Sequence, residues 1–272
     1  MFLCDFHTHT YFSFDGDRKA SPDAMCRSAI EKGITDLALT DHFEANSNAE
    51  GNISPYDAKA AHDEILLAKD KYKDRLNLVY GIELGQGYQY PDEVNKLFKD
   101  YKFDFVIGSL HNLRYAPDFC YLDFSEMPYK YAQHLFSRYI YEINETVDAF
   151  DCIDTVGHLT YMQRYTALAG INFDFRPYYD RLAAFFDKII FRDIALEVNV
   201  STLRKGLGFS MPDADILRLY RDRGGKLITV GSDAHSPADL GSCIADGFRL
   251  LESIGFDRVM VVKNREKVLC KI

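Results

Sequence analysis

Histidines and carboxylates in this 272-residue sequence gather where apolar runs give out. The first run ends in His7-Thr8-His9, and because a strand alternates its faces with period two, the two imidazoles project from one side. Such a pair is a two-pronged grip for zinc, iron or manganese, provided that other parts of the chain complete the shell. Asp15 follows in the same loop, and later apolar runs end in Asp41-His42, Glu83, Ser109-Leu110-His111, Gly157-His158 and Ser232-Asp233-Ala234-His235. Six of the eight histidines therefore stand at the end of an apolar run. His62 and His134 fall inside predicted helices and are read as packing or solvent-facing residues.

The elements that must position these residues repeat as strand, loop, helix. Strands are predicted over residues 2–6, 36–40, 78–83, 103–110, 153–156, 194–200 and 226–230, with a closing strand over 258–262. Helices are predicted over 22–32, where Ser21-Pro22 has the cap-then-proline signature, and over 56–73, 91–101, 126–150, 175–188, 212–223 and 236–253. A polar loop fills 44–54. Strands alternating with helices at this spacing specify a parallel sheet, and seven or eight such units can close it into a barrel. A glycine-rich phosphate loop, the mark of the doubly wound alternative, is missing after the first strand. Parallel barrels carry their chemistry at the C-terminal ends of the strands, which is where the candidate ligands lie.

Composition sets the outer bounds. Hydrophobic residues make up 47% and charged residues 27%, an ordinary globular balance for one domain spanning 1–272. A net charge of -9 disfavours nucleic acid and anionic membrane as partners but admits a small anion held by a few arginines and metal. No apolar run approaches a membrane span and the first residues lack a signal peptide's basic flank, so the expected location is cytoplasmic. The aromatic helix at 126–150 serves equally as core or as a homo-oligomer interface. The six scattered cysteines suit neither a disulfide framework nor a zinc knuckle. Cys243 and Arg249 have the Cys-x5-Arg spacing of cysteine phosphatases, but they fall inside a predicted helix and not in a phosphate loop.

His7, His9, Asp15, His42, Glu83, His111, His158, Asp233 and His235 exceed the three or four ligands of one zinc site and suit two or three divalent ions, with Glu83 as the natural bridge. Together with Thr10, Ser13, Gly16, Gly81, Ser109, Gly157 and Ser232 they resemble, in order, the motifs of the polymerase and histidinol phosphatase (PHP) superfamily. The resemblance implies a distorted (βα)7 TIM-like barrel and a trinuclear site of zinc, manganese or iron. It assigns His7, His9, Glu83 and Asp233 to one ion, Glu83, His111 and His158 to a second, and Asp15, His42 and His235 to a third. Within the superfamily the sequence is most similar to stand-alone histidinol-phosphate phosphatases, through Gly157-His158-Leu159, Arg164-Tyr165, Glu197-Val198-Asn199 and Leu203-Arg204-Lys205; Thr160 departs from the acidic residue often found there.

The expected reaction is hydrolysis of a small phosphate monoester, L-histidinol phosphate, by direct attack of a metal-bridging hydroxide. Arg164 and Arg204, placed on loops after the fifth and sixth strands, are candidates to clamp phosphate. Glu197 and Asn199 share a strand face and either orient ligands or hold the substrate's amine. Asp233, His235 and Asp41 are the candidates for protonating the leaving group. Rival readings are an amidohydrolase, a superfamily phosphoesterase for phosphotyrosine or nucleotides, a nuclease module, and a metal-binding domain without activity. Glu83, where amidohydrolases often carry a bridging lysine, disfavours the first.

Overall fold

The computed structural model describes residues 3–46 and 55–272. Eight strands share one parallel sheet: β1 (Cys4–Asp5), β2 (Asp36–Leu39), β3 (His42–Glu44), β4 (Asn77–Gly85), β5 (Phe105–Ser109), β6 (Thr155–Val156), β7 (Ala195–Asn199) and β8 (Ile228–Gly231). The order is β1-β2-β4-β5-β6-β7-β8, with β3 on the other end of β4. β3 continues the path of β2 after Thr40-Asp41, so the two act as one interrupted strand in a distorted seven-unit barrel. Backbone bonds close the ring between β1 and β8, from Phe6 N to Val230 O (2.9 Å) and, beyond the strands, from Asp233 N to His7 O (2.8 Å) and His9 N to Ala234 O (2.8 Å).

Helices α1 (Pro22–Glu31), α2 (Ala58–Tyr72), α3 (Pro91–Asp100), α4 (Tyr129–Ala149), α5 (Tyr161–Leu168), α6 (Tyr179–Phe191), α7 (Ser201–Arg204), α8 (Ala214–Asp222) and α9 (Ile244–Ser253) fill the connections. Ser21 caps α1 by accepting from Ala24 N, with Pro22 in the first turn, as the sequence signature requires. The strands are buried on both faces, the state that continuous apolar runs specify when helices cover a parallel sheet. α4 lays Leu135, Phe136, Tyr139, Ile143 and Val147 on the core and leaves Tyr131 and Tyr141 exposed. A smaller cluster around Met25, Leu37, Ile65 and Leu78 seats α1 and α2 on the sheet.

Several expected elements differ. Residues 258–262 do not close the barrel: β9 (Arg258–Lys263) pairs antiparallel with β10 (Glu266–Lys271) in a separate hairpin. That hairpin sits at the strands' N-terminal end, where Asn77 Nδ2 donates to Val262 O (2.8 Å) and Lys263 Nζ lies 3.1 Å from Asp36 Oδ1. The helix expected from 236 begins only at Ile244, because Gly241 (φ 73°) and Cys243 (φ 63°) turn the chain into the left-handed region first. α5 and α7 were both expected as loops. The expected polar loop loses residue 44 to β3, and its residues 47–54, like residue 2 of the expected first strand, lie outside the described residues. Among the described residues no helix is long and apolar enough to cross a membrane.

Phe136 is fully buried, with Phe175 (4.8 Å between centroids) and Tyr178 (5.0 Å) packed edge-on against its ring. Phe136→Ala should destabilise the fold by about 3–5 kcal/mol, read as a drop in the denaturant midpoint, whereas exposed His134→Ala on the same helix should change it by less than about 0.5 kcal/mol.

Candidate metal centre

His7 and His9 leave β1 on one face, and neither is exposed. The loop that follows is held by Asp41, whose carboxylate accepts from Thr10 N (2.6 Å), Thr10 Oγ1 (2.7 Å) and Ser13 Oγ (2.7 Å). With its acceptors so engaged, Asp41 braces the loop and does not face the cavity, which removes it from the proton donors. Asp5, which the sequence did not single out, ties β1 to the loop after β8 by accepting from Ser232 N (2.8 Å), Ser232 Oγ (2.6 Å) and Gly241 N (2.8 Å). Gly231 permits that close approach, since a Cβ there would collide with the Cβ of His7.

Glu83 occupies the middle of the cluster with no exposure. Its Oε2 lies 3.1 Å from His7 Nε2, 3.6 Å from His9 Nε2 and 2.9 Å from His42 Nδ1. Its Oε1 lies 2.9 Å from His158 Nε2 and 3.2 Å from His111 Nε2, and accepts from Ser109 Oγ at 2.6 Å. The β3–β4 register creates part of this arrangement by pairing His42 with Glu83. Asp233, at φ 54°, brings Oδ1 to 3.5 Å from His9 Nε2 and 4.0 Å from His7 Nε2. Asp15 lies 3.2 Å from His235 Nε2 and 3.7 Å from His42 Nε2.

His158 Nε2 is hydrogen-bonded to Glu83 Oε1, but several of the other close spacings are not hydrogen bonds. Among the buried side-chain atoms with no hydrogen-bond partner are His7 Nε2, His9 Nε2, His42 Nδ1, Glu83 Oε2 and His235 Nε2, all converging on one space. Buried polar atoms seldom lack a partner, and a group of them aimed together fits cations held between them. Four sets of three side chains can each share an ion: His7, His9 and Asp233; His7, Glu83 and His158; His42, Glu83 and His111; and His9, His42 and His235. The donor set, imidazole with carboxylate and no thiolate, is that of a divalent-metal site.

The electrostatics match. Burial alone would raise Glu83 and Asp233, yet surrounding histidines, with Arg164 at Asp233, hold both well below the carboxylate range. Burial opposes charge on His7 and His42 too, but Glu197 and Glu83 at the first and Glu83 and Glu44 at the second hold them well above the ordinary histidine value. His9 goes the other way, lowered by burial and by the like charges of His235 and His42.

Two carboxylates orient the ligands. Glu197 Oε1 accepts from His7 Nδ1 (2.6 Å) and its Oε2 from His158 N (2.6 Å), so it stands behind the cluster and not in the cavity. Glu44, which the sequence places at the start of a polar loop, lies 2.8 Å from His111 Nδ1 and 3.1 Å from His42 Nδ1, and Gln86 Nε2 donates to it at 2.5 Å. Asn199 also stands outside the cavity, its Oδ1 accepting from Ser201 N and Oγ.

The two arginines separate. Arg164, on α5, is 7% exposed, donates to Asp233 Oδ2 (2.9 Å) and Ser201 Oγ (2.6 Å), lies over the Tyr161 ring and lines the cavity. Arg204, on α7, turns back to Ser232 O (2.9 Å) and Asp233 O (3.3 Å), supporting the loop after β8; its neighbour Lys205 lines the cavity instead. The cavity, of about 570 Å³, has Phe14, Tyr121, Tyr161 and Tyr165 as its aromatic wall. Cys243 lies outside the cavity lining, burial and Asp246 raise its thiol, and Arg249 pairs with Asp246 and not with an anion beside the thiol. His62, beside Asp63 and Tyr80, and exposed His134 lie outside the cluster.

Known proteins place this geometry in context. A Thermotoga maritima protein named "Probable histidinol-phosphatase" is 28% identical, covering 99% of this chain and 100% of its own. One of the same name from Clostridium acetobutylicum is 25% identical over 97% and 98%, and the histidinol-phosphatase of Lactococcus lactis is 25% identical over 85% and 83%. The crystal structure of the Lactococcus lactis histidinol phosphate phosphatase, complexed with zinc, L-histidinol and phosphate, superposes with a TM-score of 0.81 at 23% identity, covering 98% of both chains. The family model of the PHP domain matches residues 5–201, from β1 to the start of α7, and with most of the barrel under that match the chain belongs to the PHP domain family.

Proposed function

We propose that this chain is a metal-dependent phosphatase that hydrolyses L-histidinol phosphate to L-histidinol and phosphate, a step of histidine biosynthesis, in the cytoplasm. The observation that carries the reading is Glu83, whose two oxygens face five imidazoles in a cavity with Arg164 and Lys205 on its wall. The named relatives and the zinc, histidinol and phosphate complex of the Lactococcus lactis protein support the substrate. The proposed unit is the whole chain, 1–272, because Asp233 and His235 lie beyond the family match.

Two to three divalent ions, zinc, manganese or iron, would be held by His7, His9, Glu83 and Asp233, by Glu83, His111 and His158, and by Asp15, His42 and His235. Bound there, they supply Lewis acidity, acidifying water toward neutral pH and offsetting charge on the phosphoryl oxygens. The protein's own share is positional. Arg164 keeps its guanidinium charged, because Asp233 outweighs the effect of burial, and so presents a fixed cation to phosphate. Glu197 and Glu44 keep the imidazoles aimed. Asp233, ionised beside Arg164, has no proton to give, which leaves His235, at the cavity mouth, or solvent to protonate the leaving oxygen.

Purified protein with manganese or zinc should show a higher kcat/KM for L-histidinol phosphate than for nucleoside monophosphates, a phosphotyrosine peptide or bis-p-nitrophenyl phosphate; equal or better turnover of any of these overturns the substrate. Glu83→Gln should lose metal, by elemental analysis, together with at least about a hundredfold in kcat, because it removes the shared anionic ligand; metal retained in full would sink the cluster. Glu197→Gln should leave the fold intact by circular dichroism but weaken metal binding roughly ten- to hundredfold in a chelator competition.

A further inference from the structure

Of the two basic side chains on the cavity wall, Lys205 is exposed and Arg164 is enclosed. The contacts of Arg164 with protein acceptors all pass through one nitrogen: Nη2 donates to Asp233 Oδ2 (2.9 Å) and to Ser201 Oγ (2.6 Å). Both hydrogens of Nη2 are thereby used. Nε is buried too, yet among the described residues it has no hydrogen-bond partner. A buried donor without an acceptor is costly unless a ligand supplies one, and phosphate oxygens are acceptors that a guanidinium fits.

Asp233 alone does not fix the direction of that donor. A planar fork held at one acceptor can turn about it, whereas a second acceptor on the same nitrogen sets its plane. The rings of Tyr161 and Tyr165, 5.2 and 6.0 Å from the guanidinium carbon, flank the fork without giving it a direction. The second acceptor is Ser201, the first residue of α7, which is 1% exposed and does not line the cavity. Its hydroxyl has a single hydrogen, and that hydrogen goes to Asn199 Oδ1 (2.6 Å), which leaves the oxygen's lone pairs for Arg164. Asn199 Oδ1 also accepts from Ser201 N (3.1 Å), so the amide must present its oxygen and not its nitrogen. Asn199 is in turn locked at the end of β7, through its N to Met211 O (3.0 Å), Met211 N to its O (2.9 Å) and its pairing with Gly231 of β8. The direction of the guanidinium therefore traces back through one hydroxyl to a strand end.

We infer that Ser201, its hydroxyl set by Asn199, is a positioning residue for phosphate: it holds Arg164 in the plane that leaves Nε for a phosphoryl oxygen. This rests on the phosphatase reading above, and it gives Asn199 a task other than holding the substrate's amine.

The test measures binding of inorganic phosphate to the metal-loaded protein by calorimetry, with metal content determined for each variant. Arg164→Met should weaken phosphate by at least about tenfold. Ser201→Ala should weaken it roughly three- to tenfold and Asn199→Ala by at least about twofold, with bound metal unchanged in both. In the Arg164→Met background, Ser201→Ala should change the phosphate Kd by less than about twofold, because a residue that acts through Arg164 has nothing left to act on. A serine that only supported the fold would weaken phosphate equally in both backgrounds, or through loss of metal; either result overturns the inference. If Arg164→Met weakens phosphate and neither Ser201→Ala nor Asn199→Ala does, the inference fails while the reading of Arg164 as the phosphate clamp stands. If Arg164→Met binds phosphate as the wild type does, the clamp fails and the inference with it.

Discussion

One buried carboxylate surrounded by five imidazoles sets the terms for the upper half of this barrel. At the 2.9 to 3.6 Å separating Glu83 from its neighbours, each pair of charges interacts by several kcal/mol even at an effective dielectric of about 20. Removing each charge from water costs a comparable amount, so the cluster is tolerable only when its charges balance. Protons on His7 and His42 can do this in part, but they leave His9 unable to charge among its neighbours. Divalent ions balance the same anions without protonating the imidazoles, and metal binding is therefore coupled to proton release.

Such a centre needs a rigid support, and the bonds that provide it are also those that close the barrel. Asp5 of β1 holds the loop after β8, which carries Asp233 and His235. Glu197 of β7 reaches His7 beyond β1 and the backbone of His158 beyond β6. Asp41, in the break between β2 and β3, holds the loop after β1 through Thr10 and Ser13. None of the three has a side chain facing the cavity, yet each sets where a ligand points. A strand shifted by one residue would turn its ligand away from the cavity, so register and metal geometry are a single constraint.

The parts legible in the sequence were those with an address. A histidine or carboxylate at the end of an apolar run in a βα repeat has one destination, and all nine residues chosen that way gather around one cavity or directly behind it. What escaped lacked periodic signal. Glu44 follows His42 by two residues and so shares its face, but Thr40-Asp41 interrupts the strand and disguises the continuation as loop. α5 has no side-chain cap and is built from Tyr, Thr and Gln as well as better formers; burial of Tyr161 and Met162 stabilises it where local propensity does not. Ser236-Pro237 carried a helix-start signature that Gly241 and Cys243 override. The direction of Arg204 was hidden with α7, a single turn that carries no periodic signal, and Asn199, at the last position of β7, accepts from Ser201 N and Oγ instead of entering the cavity.

The acidity of the whole chain and the two basic side chains, Arg164 and Lys205, on the wall of its cavity are not in conflict, because they act over different distances. A net charge of -9 spread over the surface repels extended polyanions, whose many phosphates would lie against that surface. Inside the cavity, bulk screening is weak and neighbouring groups dominate, so Arg164, Lys205 and any metal held by the histidines outweigh the distant surface. A small phosphate that can leave the surface field and enter the cavity is favoured; a nucleic-acid backbone that must remain partly outside is not. The metal ligands would treat any phosphoryl group alike, and discrimination among small esters would therefore fall to the rest of the lining, which includes Phe14, Tyr121, Tyr161 and Tyr165. Two proteins can share every metal ligand and differ in substrate for that reason alone.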